Sequence, residues 1–332
     1  MKVSSEQNDL SYLELNKLEV IAEIELEKKY SNEGITIIKW EEDTDETEKK
    51  LLADIKKDNF SFVGPLNMKL QKDGIGLMKY ANDDKYFGMY QKDQRNRQGL
   101  YMYGPSTQDG SVKSEYYFGT WNNNIKHGRG IYMWLSEQEN VIPFSDFDNA
   151  DFDCFHGEVD NELLRKGTYM SKKNGEYFVY HGSFNDKGEK HSDNAFYYNS
   201  TNDQLMYGSV RNDKFEKGFI ALFDEDGHLT NIMEFELDKD GKVQQYKQKQ
   251  EIENDKLEQI TEDMTLFRNI ILEEDYFGMV YNILKETTEI INEKMNGLDI
   301  YHAKDFADIV DASYKFNDMK LYEKVCKNLP SV

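Results

Sequence analysis

The sequence predicts an α+β chain in which an elongated antiparallel β-sheet of stacked hairpins lies between an N-terminal acidic helical segment and a C-terminal helical bundle. Three observations support this fold class. An aromatic-x-Gly pattern recurs along residues 60–225 and a predicted final strand extends the array to 61–245. Apolar residues recur at helical spacing in 246–332, and residues 1–60 are acidic with one helical stripe. We therefore divide the chain into an extension, a hairpin array and a helical region at these boundaries.

The extension begins with a predicted helix. Ser11 and Glu14 form a capping box, and leucine, valine and isoleucine follow at helical spacing as far as Gly34. The segment 35–40 is typical of a short strand. The acidic run 41–46 is interpreted as a solvated helix start, with a docking patch for a basic partner as the less favoured alternative.

The clearest hairpin lies at residues 117–134. Tyr117, Gly119 and Trp121 share one strand face because side chains alternate along a strand. Gly119 has no side chain, so an aromatic ring from a neighbour can lie flat against its backbone. Gly128 and Gly130 supply the positive φ angle or the close contact that a tight return needs. One such hairpin alone is only marginally stable in water, so we expect further hairpins to pack beside it.

Five further segments repeat the pattern. The first glycines of successive hairpins are 24, 31, 38, 25 and 26 residues apart, which indicates stacked units of about 24 residues with insertions. At residue 195 an alanine stands where the second glycine belongs. We assign a structural role in the repeats to Gly64, Gly88, Gly99, Gly119, Gly128, Gly130, Gly157, Gly167, Gly182, Gly208 and Gly218.

This pattern, Tyr-x-Gly-x-Trp followed by a polar turn and His-Gly-x-Gly-x-Tyr, resembles the MORN repeat. Residues 117–134 fit it nearly position for position, 86–103 fit well, and the other segments are degenerate. The resemblance implies a twisted antiparallel sheet. It also implies an interaction module of the kind found in radial spoke heads, ciliary or cytoskeletal scaffolds, junctophilins, a lysine methyltransferase and some phosphoinositide kinases.

Composition excludes several classes of protein. The net charge of −22 argues against nucleic acid, whose phosphates need a basic face, and against attraction to anionic lipid. Two distant cysteines exclude a disulfide framework, and no apolar run reaches membrane-spanning length. The N-terminus has no signal core. We expect a cytoplasmic protein, placed in the cytoskeleton or the cilium axoneme by the family resemblance.

After the array, residues 232–237 alternate as a predicted final strand that caps the sheet edge. Four helices are predicted beyond it. The stripe of the first is Leu257, Ile260, Met264, Phe267 and Ile271. Those of the others run through 277–295, 303–314 and 319–329, and we interpret all of them as bundle packing rather than as a cofactor groove.

The sequence carries little chemistry. It has no phosphate-binding loop and no nucleophile elbow, and its carboxylate pairs discriminate nothing in so acidic a chain. Three aspartate-rich loops lack the glycine of a calcium loop. Cys154 and His156 share a strand face, but zinc would need two more ligands, which His181 and His191 would supply only by coincidence. We predict no enzyme activity, no cofactor and no metal.

The predicted function is a non-enzymatic scaffold or protein-protein interaction module within a larger assembly, such as a radial spoke head. The two long spacers differ: 104–116 is a turn-rich loop, and 143–153 alternates acid and aromatic residues as a partner-binding loop would. The candidate partner-binding residues are Tyr90, Tyr101, Tyr103, Trp121, Tyr132, Trp134, Phe144, Phe147 and Phe152.

The alternative is a membrane-targeting module that binds acidic phospholipids, as the family resemblance implies for the lipid kinases. Its contact set would be the basic residues of the two best repeats. These are Arg95, Arg97, Lys126, His127 and Arg129.

Overall fold

A computed structural model describes the hairpin array and parts of its flanks. The described residues are 25–26, 28–29, 35–38, 51–57, 59–104, 106–108, 111–137, 151–224, 226–238, 242–248, 254–273, 278, 281–282 and 285. The predicted helices beyond 285, most of the N-terminal helix and residues 144 and 147 lie outside them.

Seventeen strands form one antiparallel sheet. They are β1 Ile35–Ile38, β2 Leu51–Lys57, β3 Phe60–Leu66, β4 Gly74–Tyr80, β5 Lys85–Gln91, β6 Gln94–Met102, β7 Ser106–Gln108, β8 Ser111–Asn122, β9 Ile125–Glu137, β10 Phe152–Asp160, β11 Leu163–Lys173, β12 Glu176–Ser183, β13 Ser192–Asn199, β14 Gln204–Arg211, β15 Lys214–Phe223, β16 Leu229–Leu237 and β17 Val243–Gln248.

The sheet is a meander, in which each strand pairs with the strand that follows it in the chain. The one variation is at β6, which pairs with β8, while the short β7 pairs with the first residues of β8. The spacer 104–116, predicted as a loop, therefore contributes a small extra hairpin. Such local pairing lets each hairpin add to the edge left by the one before.

A tight two-residue turn joins the two strands of several hairpins, and both of its residues take positive φ angles. The pairs Lys92–Asp93, Asn123–Asn124, Asn161–Glu162 and Asn212–Asp213 all have φ between 49° and 71°. This is the type I′ geometry, whose twist matches that of the strands it joins. Asparagine and aspartate tolerate it best, which explains the polar turns of the sequence pattern.

One glycine row crosses the middle of the sheet. Eight glycines pair with one another across eight strands, and Ala195 continues the row toward Gly208 and Gly218. The eight are Gly76, Gly88, Gly99, Gly119, Gly130, Gly157, Gly167 and Gly182. The irregular repeats of the sequence are thus brought into one register. The bulges that follow several of these glycines absorb the differences in spacing.

Both sides of the sheet are buried, each by a different cluster. On the side that we call the glycine face, tyrosines and phenylalanines cover the glycine row. The other side, the helix face, carries mainly leucine, methionine, valine and phenylalanine. A helix, Asn254–Glu273, packs on it over β13 and β14, with the Phe267 ring stacked 4.6 Å from that of Phe196.

This helix contains the predicted stripe of five apolar residues, all of which are buried in the helix-face cluster. Beside the stripe, Arg268 pairs with Asp203, with Nη2 to Oδ2 at 2.6 Å, and lies over the Phe223 ring. No helix among the described residues is long and apolar enough to cross a membrane.

The sheet extends beyond the predicted array at both ends. Residues 51–57, which we had placed in the helical extension, form β2 and pair with β3. The predicted final strand is followed by β17, so β16 does not form the edge. Neither added strand carries the aromatic-x-Gly pattern, which is why the sequence reasoning missed them.

Candidate interaction surface

The aromatic residue of each Tyr-x-Gly motif lies over its own glycine. A Cβ atom added to Gly119 would come within 2.7 Å of the Tyr117 ring and of the Gly130 backbone. The Tyr117 hydroxyl reaches past the glycine and donates a hydrogen bond to the Thr120 carbonyl, at 3.1 Å. A ring does pack against this glycine, and it comes from two residues earlier in the same strand and not from a neighbouring one.

Other repeats use the same arrangement. Tyr86 covers Gly99 and donates to the Met89 carbonyl at 3.0 Å, and Tyr180 covers Gly182 and donates to the Ser183 carbonyl at 2.7 Å. Phe62 and Phe155 occupy the same place without a hydroxyl group. The ring therefore supplies the packing, and the hydroxyl group satisfies a backbone carbonyl next to the bulge.

These rings belong to a continuous aromatic row across eight strands, which we call the inner row. Four of its members are almost completely buried, namely the rings that cover glycines. The row consists of Tyr86, Tyr101, Tyr117, Tyr132, Phe155, Tyr169, Tyr180 and Tyr197. Cross-strand ring pairs of this kind stabilise a sheet directly.

Lys126 lies inside a box of aromatic rings. Its Nζ is 4.9–5.9 Å from four ring centroids, those of Tyr103, Tyr117, Trp121 and Tyr132. The ammonium group also hydrogen-bonds the Tyr103 hydroxyl and pairs with Glu162 at 3.0 Å. The residue is only 5% exposed. A buried ammonium group needs such partners, and ring faces and a carboxylate supply them.

Three other repeats hold a cation in the same position. Arg95 lies 4.3 Å from the Trp121 centroid and 5.0 Å from that of Tyr101. Lys72 lies over two rings and Lys190 over three. Burial lowers the pKa of both lysines. The glycine face thus contains four cation boxes, each filled by the array's own side chain.

Each cation residue is also tied to the next turn. The Arg95 N–H donates to the Asn124 side-chain oxygen at 2.8 Å, and the Asn124 N–H donates back to the Arg95 carbonyl at 2.9 Å. The same reciprocal pair joins Lys72 to Asp93, Lys126 to Glu162 and Lys190 to Asp213. We call these four pairs the turn staples, and they fix successive hairpins to one another.

A second row on the glycine face, the outer row, is only partly buried. Glu115 pairs with Trp134, and Trp134 pairs with Asp153, on adjacent strands. The Tyr103 backbone N–H donates to the Glu115 carbonyl at 3.0 Å, which extends the row to β6. On the other side it continues through Ser171 and Phe178. Rings and carboxylates alternate along its first four positions.

The predicted partner-binding rings divide between these rows. Tyr90, Tyr101, Trp121 and Tyr132 are at most 9% exposed, because they pack on neighbouring repeats or enclose cations. Tyr103 and Trp134 are partly exposed in the outer row.

Phe152 starts β10 on the helix face, buried 5.3 Å from the Tyr281 ring. It is therefore a packing residue and not part of an exposed loop. Phe144 and Phe147 fall outside the described residues.

The predicted lipid contact set is similarly divided. Lys126 and Arg95 face inward in cation boxes, and His127 pairs with Asp160 at 2.9 Å. Arg97 and Arg129 are exposed, and Arg129 has a partner. Much of this positive charge is therefore already paired within the array, with its own rings and carboxylates.

The boxes were missed in the sequence although a signal for them exists. Lys72, Arg95 and Lys126 each precede a row glycine by four residues. The rings that receive them lie in neighbouring repeats, so this regularity has no meaning until the register is known.

No zinc site forms around Cys154 and His156 in the described part of the chain. Both are buried on the helix face, where burial raises the thiol pKa and lowers that of His156 to about 3. His181 lies nearby, with Nδ1 2.9 Å from the Thr168 hydroxyl.

Asp224, Asp226 and His228 are close together and exposed at a turn. Asp224 already accepts hydrogen bonds from the backbone N–H groups of the other two, at 3.1 and 2.8 Å. This is the hydrogen bonding of a turn.

Comparison with known families agrees with this geometry. Residues 117–135 match the model of the MORN repeat family. The chain contains a MORN repeat, set in a long antiparallel sheet of similar hairpins. The matched segment spans the second half of β8 and most of β9, the hairpin with the most complete cation box. MORN repeats are protein-interaction or membrane-binding modules. The comparison with curated proteins gives no match.

Proposed function

We propose that this protein is a non-enzymatic scaffold that binds other proteins of a larger assembly. The observation that carries the proposal is the outer row, where partly exposed rings and carboxylates lie at fixed positions on a sheet held by the turn staples. A rigid surface pays little entropy on binding, which is what a scaffold requires.

The finer proposal is a cytoskeletal or ciliary assembly such as a radial spoke head. It rests on the family resemblance alone. Its test is the location of the tagged full chain in ciliated cells. Axonemal signal that survives detergent extraction is expected, and diffuse signal lost on extraction would overturn this finer proposal while leaving the scaffold intact.

Scaffolding itself is tested by cross-linking the tagged full chain in cells and identifying proteins that co-purify at constant stoichiometry. At least one specific protein partner is expected. Flotation of the purified chain with vesicles containing acidic phospholipids is the companion experiment. Flotation with vesicles and no specific protein partner would replace the scaffold by the membrane-targeting alternative.

A further inference from the structure

The outer row contains a carboxylate with one oxygen atom that has no hydrogen-bond partner. Asp153 Oδ1 is buried and has no hydrogen-bond partner, although the side chain accepts a hydrogen bond from the Tyr169 hydroxyl. Buried carboxylate oxygens without a donor are rare in folded proteins, since each costs free energy. The row therefore lacks a donor at this point.

Glu115 is a second partly buried carboxylate, two strands away in the same row. The Trp134 side chain donates a hydrogen bond to it, and burial raises the pKa of its carboxyl group. Among the described residues Glu115 interacts electrostatically with Lys126 and Asp153 with Lys190, the lysines of two cation boxes. Adjacent strands are about 4.8 Å apart, so about 10 Å separates the two carboxylate positions. The rings of Tyr103 and Trp134 alternate with them.

The cation boxes show what such a combination binds. Lys126 is held by ring faces, including that of Tyr103, together with the Glu162 carboxylate. The outer row offers the same two chemical groups, rings and carboxylates, with its outer side partly exposed. A cation arriving from outside would meet the surroundings that the array provides for its own lysine.

We propose that the outer row binds a basic peptide segment of a partner protein, with lysine or arginine side chains lying over Tyr103 and Trp134 and pairing with Glu115 and Asp153. The inference rests on the proposed scaffold function and names the chemistry of its partner. A net charge of −22 draws such a segment toward the chain, and the row supplies specific positions for it.

The test is fluorescence anisotropy of a labelled 13-residue peptide of alternating lysine and serine against the full chain. The double variant Glu115→Gln, Asp153→Asn should weaken binding by about tenfold, as expected for loss of close charge pairs. Trp134→Leu should weaken it by about threefold while all charges remain, because a cation–ring contact is lost. A glutamate–serine peptide is the negative probe.

The matched control is Glu176→Gln, Glu216→Gln, which removes the same charge from exposed positions outside the outer row. It should change affinity less than twofold. Circular dichroism of each variant verifies the fold. Equal loss in both double variants would mean diffuse attraction only and would overturn the proposal, as would wild-type chain that does not bind the peptide.

Failure here is distinguishable from failure of the scaffold. If cross-linked partners co-purify equally with wild type and with the outer-row double variant, the basic-segment inference falls and the scaffold stands. If no protein partner co-purifies with either, the scaffold falls.

Discussion

On the glycine face, the cross-strand pair next to the hairpin turn is of one of two kinds in four of the hairpins. At Trp121–Lys126 and Tyr90–Arg95 a ring pairs with a cation across the hairpin, whereas at Val159–Leu164 and Val210–Phe215 two apolar side chains pair at the corresponding register. Both kinds have a type I′ turn with a bulge beside it. The bulge is longer in the ring–cation hairpins, where three residues oppose one, than in the valine hairpins, where it adds a single residue. Lys190 also lies opposite a ring, that of Phe184, as Lys126 and Arg95 do. Lys72 lies opposite Leu66 instead and contacts the rings of Phe62 and Tyr90.

The space beside the turn must be filled and its polar groups must find hydrogen-bond partners. Either a ring with a cation or two apolar side chains meets both requirements. A ring leaves a face that attracts a cation, and the cation's backbone then joins the turn staple. A valine leaves an aliphatic surface, which Leu164 covers in one hairpin and Phe215 in the other. Four predictions test this comparison.

The largest effect should come from the glycine row, which both kinds of hairpin share. Gly119→Val and Gly157→Val should each destabilise the protein by about 3 kcal/mol or more, because the new Cβ would meet backbone. That backbone is Gly130 Cα at 2.7 Å in one case and Gly167 Cα at 2.6 Å in the other. Thermal and urea unfolding measure the loss.

Gly175→Ala is the control, since nothing lies within 4 Å of its Cβ position and only its φ of +82° opposes the change. It should cost about 1 kcal/mol. If Gly119→Val melted with wild type, the ring contact described above would be misplaced.

Exchanging the cation and the apolar residue between the two kinds of hairpin should have the next largest effect on stability. Lys126→Leu should cost about 2 kcal/mol, since it leaves Glu162 and the Tyr103 hydroxyl without their partner. Leu164→Lys should cost about 1 kcal/mol, because Val159 offers no ring face but the long stem can reach solvent. Denaturant unfolding measures both.

Lys126→Arg is the conservative control and should retain most of the stability, since Arg95 fills an equivalent box. A Lys126→Leu variant as stable as wild type would show that any filling side chain suffices and that the cation contributes nothing.

A smaller effect should isolate one turn staple. Asn124→Gly keeps the positive φ angle but removes the side-chain oxygen that accepts from the Arg95 N–H at 2.8 Å. The expected loss is about 1 kcal/mol in denaturant unfolding, the usual value of one hydrogen bond. Asn123→Gly, in the same turn, should change stability by a few tenths at most. Equal losses would assign the effect to the turn and not to the staple.

The smallest effect concerns two carboxylates, Glu115 in the outer row of the glycine face and Asp203 beside the helix on the helix face. Burial raises the pKa of Glu115, so the stability linked to its protonation is present below the ordinary carboxyl pKa and is lost as pH rises through the raised value. Glu115→Gln should therefore raise the melting temperature by about 1–2 °C at pH 7, and the gain should vanish in acid.

Asp203 should behave in the opposite way. Burial acts to raise the pKa of its carboxyl group, but hydrogen bonds from Arg268 and Tyr198 outweigh it and lower the pKa. The linked stability is present above the ordinary carboxyl pKa and is lost as pH falls through the lowered value. Asp203→Asn should lower the melting temperature at pH 7 and matter less in acid. Melting curves with the same sign for both variants would contradict these assignments.

The predictable part of the candidate site is the part with short sequence separation. The missing side chain of Gly119 was enough to predict that a ring packs against its backbone, although the sequence did not identify Tyr117 as that ring. The partner-binding rings were predicted less well. Whether Tyr101 or Tyr103 is exposed depends on which side chains of the adjoining repeats cover it, and neighbouring repeats lie more than twenty residues away.

The sequence by itself determined the hairpins, their turns, the glycine row and the stripe of the helix 254–273, because alternation, positive φ and helical periodicity act over a few residues. Only the tertiary structure decided which cation fills which box, which turn ties it down and how rings and carboxylates alternate in the outer row. Those relations join residues of different repeats, and insertions of unequal length conceal them until strand pairing sets the register.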